Sequence, residues 1–116
     1  MTEVTLKIKN TSHPTNVVEG VFIVDSGAAY TVVPYKFVKK LGLKPSFERE
    51  FVLADGKIVK RTIGSAIVGF ENEEIAAPVV LGQKGDSPLL GALTLEAFGL
   101  ALDPFKRKLY PARLML

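Results

Sequence analysis

The chain of 116 residues is 47% hydrophobic and 23% charged, a balance that excludes disordered and collagenous classes and suits one domain spanning residues 1–116. Fifteen Lys and Arg against twelve Asp and Glu leave a net charge of +3, scattered over several short clusters with no recognition motif beside them, so no nucleic-acid partner is expected. There is no cysteine, which removes disulfide and thiolate chemistry, and a zinc site would depend on His13 and carboxylates; neither metal nor cofactor is expected.

Val4, Leu6 and Ile8 alternate with polar residues, the period of a half-buried strand. Ser12-His13-Pro14-Thr15 reads as a turn, and Val17 to Asp25 as a second strand whose apolar end predicts burial on both faces. Tyr30 to Val33 is a short β-branched segment. Pro34 suits the first turn of a brief helix through Phe37, Val38 and Leu41, and Gly42 its stop. Phe47 to Ala54 and Lys57 to Phe70 flank Asp55-Gly56, a strong hairpin signal, so a long projecting hairpin is predicted. Glu74 to Leu81 is a further strand, and Gly82 to Pro88 is a loop by its glycines and proline. Leu89-Leu90-Gly91 precedes a short helical pattern, Leu93 to Phe98, closed by Gly99. Leu100 to Asp103 and Lys108 to Tyr110 read as strands around a Pro104-Phe105 turn. The class is mainly β with one or two short helices. No apolar run reaches the roughly 18 residues of a membrane helix, and MTEVTLKIKN has no signal-like apolar core, so a cytoplasmic protein without a membrane partner is expected.

Few residues can carry chemistry. The single histidine, His13, lies in a turn and is poorly placed for a Ser/His/Asp triad. Gly85-Asp86-Ser87-Pro88 is explained by a turn, and no phosphate-binding glycine loop is present. Asp25 is different. A strand-end acid can simply cap the next turn, with Ser26 and Gly27 as turn formers. Here, however, apolar strand-like segments flank the Asp-Ser-Gly turn on both sides, which puts a carboxylate in the centre of the fold, where only a specific arrangement tolerates it.

Val24-Asp25-Ser26-Gly27-Ala28, followed by Thr31-Val32-Val33, resembles the hydrophobic-Asp-[Ser/Thr]-Gly-Ala signature of retropepsin-like aspartic proteases. Leu89-Leu90-Gly91, opening a short helix, is similar to that family's hydrophobic-hydrophobic-Gly element, and the hairpin around Asp55-Gly56 lies between the two, where the family carries its flap. The resemblance runs from about Val17 to Leu102 and implies a closed β-barrel with a flap hairpin, without a cofactor. It implies Asp25, Ser26 and Gly27 as the catalytic turn. It also implies Gly27, Ala28 and Ala29, with Ala54, Asp55, Gly56 and Lys57 of the flap, as contacts to an extended peptide or protein substrate. The acid and arginine that viral members pair internally are replaced together by Ala29 and Ala92, so no orphan charge remains. Aspartic proteolysis needs two carboxyls about 3 Å apart that share a proton. One chain offers one Asp-Ser-Gly, so the expectation is a homodimer in which a two-fold axis brings the two copies of Asp25 together. A non-catalytic dimer of the same fold, binding extended segments, is the alternative.

Overall fold

The computed structural model describes residues 1–116. In chain order the elements are β1 (Glu3–Lys9), β2 (Val17–Val24), β3 (Thr31–Val33), α1 (Tyr35–Leu41), β4 (Pro45–Val52), β5 (Ile58–Phe70) and β6 (Glu73–Leu81). There follow β7 (Leu89–Leu90), α2 (Ala92–Ala97), β8 (Leu100–Asp103) and β9 (Lys108–Pro111). The fold is mainly β with two short helices, as the hydrophobic periods predicted, and no helix is long and apolar enough to cross a membrane.

Seven strands form one sheet in the order β1-β2-β7-β3-β6-β5-β4, and β1 also pairs with β5. The first six therefore run round into a ring, leaving β4 as an extension beyond β5. Alternation decides which side chains fill this ring. In β1, Leu6 and Ile8 are fully buried and stand opposite Gly20 and Val18 of β2, while Lys7 between them faces water. Phe22, Val68, Val79, Val33 and Leu90 meet them inside. Burial on both faces was expected at the end of β2. It holds for the last two residues, where Val24 is buried and Ile23 half-buried, but Val21 is 53% exposed because no element covers the outer face there.

Helix α1 begins one residue later than its proline suggested: Pro34 stays extended and accepts hydrogen bonds from the Phe37 and Val38 N–H groups. The helix ends on Gly42 in the left-handed conformation. The Leu43 N–H returns to Val38 O and the Gly42 N–H to Lys39 O, a Schellman closure completed by burial of Leu43. Phe37 packs on Phe22 with ring centroids 6.4 Å apart, fixing the helix against the ring.

The predicted hairpin is β4–β5, but its ladder stops at Val52 and Ile58, short of Ala54 and Lys57. Beyond it the Leu53 N–H still donates to Lys57 O at 2.7 Å, which leaves a three-residue loop, Ala54 to Gly56; the Gly56 N–H donates to Leu53 O and Gly56 takes φ +85°, the turn-plus-left-handed-residue solution rather than a two-residue turn. The C-terminal β8–β9 hairpin forms as expected, with Asp103 Oδ1 accepting from the Phe105 and Lys106 N–H groups at its tip.

Candidate active site

Two segments far apart in sequence interlock around Asp25. The short strand β7 slots between β2, to which it is parallel, and β3, to which it is antiparallel. Leu90 O accepts the Asp25 N–H at 3.0 Å, and on the far side of the turn Ala28 O and Ala29 O accept from the Ala92 and Leu93 N–H groups at 2.7 and 3.0 Å. Main-chain bonds thus stitch Ala28 to Ala92 and Ala29 to Leu93. Gly91 explains why this crossing needs glycine: a Cβ there would lie 2.4 Å from Tyr30 O and 2.9 Å from the Thr31 nitrogen, inside contact distance of rigid backbone.

Beneath the crossing lies a buried hydroxyl pair that sequence reading did not single out. Thr31, fully buried, accepts the Gly91 N–H at 3.1 Å and donates to Thr94 Oγ1 at 2.7 Å. Two threonines separated by 63 residues carry no local signal; only the fold brings them together.

The turn itself follows from short-range chemistry. Asp25 Oδ1 accepts the Gly27 N–H at 2.9 Å and Asp25 O accepts the Ala28 N–H at 3.2 Å, so the acid shapes its own loop. Within one chain the carboxylate is not at the centre of an apolar core, as the flanking segments suggested. Asp25 is half-buried and Ser26 and Gly27 are exposed, because the chain turns outward at the ring's rim. Gly27 N–H is the carboxylate's one hydrogen-bond partner in the chain.

Asp25 opens into a cleft of about 590 Å³, within the size range of ligand sites. Its floor includes Gly27, Ala28 and Ala29, and the β4–β5 hairpin forms a wall through Phe51, Leu53 and Ala54. Phe51 meets Tyr30 edge-on, with centroids 5.9 Å apart and rings at 82°, which anchors the hairpin near its loop end to the segment that follows the Asp25 turn. Of the flap residues expected at a substrate, Ala54 lines the cleft; Asp55, Gly56 and Lys57 form the exposed tip, with Asp55 Oδ1 accepting the Lys57 N–H.

The other wall carries an ion pair that sequence reading assigned only to a turn. Arg61 of β5 holds Asp86 in bidentate fashion, Nε to Oδ2 at 2.7 Å and Nη2 to Oδ1 at 2.9 Å, and Asp86 Oδ2 also accepts the Gln83 N–H. These bonds hold the Asp86 carboxyl below the usual aspartate range, with the hydrogen bonds from Arg61 as the largest cause, and they raise the Arg61 guanidinium in turn. Asp86 is the second acid of the cleft and is committed to structure.

No curated protein matches the chain. Residues 4–92 match the aspartyl protease family, a span from β1 to the first residue of α2 that contains the Asp25 turn, the hairpin and the Gly91 crossing. The chain therefore belongs to the aspartyl protease family.

Proposed function

We propose that this chain is a homodimeric aspartic endopeptidase whose two Asp25 carboxyls activate one water between them. The observation that carries the reading is the state of the cleft's acids: Asp25 stands half-open at the cleft with a single backbone partner, while Asp86 is locked by Arg61. A locked, lowered carboxyl cannot hold the proton that the reaction's acid must donate, so the second carboxyl is supplied by a twin chain across a two-fold axis.

In this reading the ionised Asp25 takes a proton from water as the oxygen attacks the scissile carbonyl carbon, and its protonated twin donates to the carbonyl oxygen. The tetrahedral diol then collapses as a carboxyl delivers its proton to the amide nitrogen and the C–N bond breaks. Ser26 bonds across the axis, and Gly27, Ala28 and Ala29 present open backbone to an extended peptide. The β4–β5 hairpin, with Ala54 on its inner side and Asp55, Gly56 and Lys57 at its tip, closes over that peptide, which adds as a strand.

Asp25→Asn is expected to abolish cleavage of an unfolded protein across acidic to neutral pH while the sedimentation mass stays that of a dimer. Undiminished activity in that variant discards the proteolytic assignment. A binding module of the same fold would instead hold a hydroxyl-bearing transition-state mimic no more tightly than the plain peptide.

A further inference from the structure

We infer that a second groove, between the Asn10–Asn16 loop and the end of α1, binds a small anion carrying two or more phosphate groups. The groove encloses about 550 Å³ and shares no residue with the catalytic cleft, so the inference does not depend on the proteolytic reading. Its lining is polar except for two hydrophobic residues.

Charge is the first argument. From Ser26 to Phe47 the chain carries four lysines and no acid, and from Asn10 to Val18 no acid either. These two stretches meet at the groove. The molecule's two ion pairs, Lys9 with Glu74 and Arg61 with Asp86, lie elsewhere, so Lys40 and Lys44 reach the groove with no carboxylate to neutralise them. Lys39 leans over the Tyr35 ring, its Nζ 5.8 Å from the centroid, and contributes charge at longer range.

Construction is the second. A helix C-terminus normally faces its surroundings with free carbonyls, which repel anions. Here most are engaged: Val38 O and Lys39 O by the Schellman closure, and Leu41 O, with Gly42 O beyond it, by Asn10 Nδ2 at 2.7 and 3.3 Å. Asn10 is 92% buried, and its Oδ1 accepts the Ser12 N–H at 2.7 Å, so one buried amide screens the helix end and sets the loop that forms the opposite wall.

The donors select the ligand. Lys40, Lys44 and His13 with the hydroxyls of Ser12, Ser46 and Ser65 offer many separate donors, suited to tetrahedral phosphate oxygens. No arginine lines the groove to grip planar carboxylates in pairs, and no Phe, Tyr or Trp lines it to offer a broad stacking face to a nucleobase.

The test is calorimetric titration of the full chain with inorganic tripolyphosphate, with citrate as comparator, alongside amide chemical shifts. Saturable binding that weakens as salt is raised is expected, with shifts at Ser12, Lys40 and Ser46 and none at Ala28. The pair K40Q/K44Q should weaken binding by more than about tenfold, whereas K106Q/K108Q on the distant β8–β9 hairpin should leave it within about twofold. Both pairs are surface changes whose urea midpoints should match the wild type. A titration that does not saturate, equal weakening by the two pairs, or citrate binding as tightly as tripolyphosphate overturns the inference.

Discussion

Replacing Thr31 by valine tests whether the buried hydroxyl pair supports the crossing beneath Asp25. The side chain keeps its shape and loses one oxygen, but that oxygen serves two partners: it accepts the Gly91 N–H and donates to Thr94 Oγ1. A buried N–H left without an acceptor costs about 1–3 kcal/mol and a lost neutral hydrogen bond about 1 kcal/mol, partly offset by the gained methyl at about 0.8 kcal/mol. The net expectation is a loss of about 2 kcal/mol, the middle of a range of about 1–3, or about 8 °C in melting temperature for a chain of this length. Thr94→Val should cost only about 1 kcal/mol, because Thr31 still accepts from Gly91. The double variant should fall short of the sum by about 1 kcal/mol, since removing Thr94 also removes the hydroxyl that Thr31→Val leaves stranded. Urea unfolding of the four proteins at one protein concentration reads all of these values, and the fixed concentration keeps any association constant. Equal single-variant losses, or strict additivity, would refute the assignment of Thr31 as the shared acceptor and donor.

Gly91→Ala should yield insoluble or unfolded protein on expression, because its Cβ would sit 2.4 Å from Tyr30 O and 2.9 Å from the Thr31 nitrogen, both backbone atoms; soluble protein with a wild-type urea midpoint would contradict the geometry. The ion pair predicts a pH signature. Asp86 is depressed below 3.8 in the folded chain, so the unfolded state binds its proton first as pH falls. Its contribution is full above the unfolded value and disappears as pH drops through the lower folded one. The stability gap between wild type and Asp86→Asn should therefore be widest near neutral pH and shrink below about pH 4. A gap that widens on acidification would reverse that sign and exclude the pair as its source.

What the sequence made legible was whatever short-range rules govern. The strand periods of β1 and β6, the stop of α1 at Gly42 and the Asx chemistry of the Asp25 turn each depend on residues within a few positions of one another. Boundaries slipped where local signals compete, as at the hairpin loop, where Gly56 in the left-handed region made a three-residue turn of a dipeptide usually read as two. The depth of Asp25 was misjudged for a different reason: apolar neighbours on both sides do not say whether the turn joining them points inward or out at the rim. The Thr31–Thr94 pair and the Arg61–Asp86 pair join residues 63 and 25 positions apart and have no sequence spacing to announce them.

The turn bearing Asp25 is held from both ends by Leu90, Ala92 and Leu93, residues made much later in synthesis. A nascent chain can complete β1, β2 and the hairpin and still have an unbraced loop where its acid will stand. Such long-range closure is slow compared with helix or hairpin formation. On the proposed proteolytic reading, hydrolytic competence is thereby postponed until synthesis has passed Leu93, a built-in delay that keeps a half-made molecule harmless to itself and its neighbours.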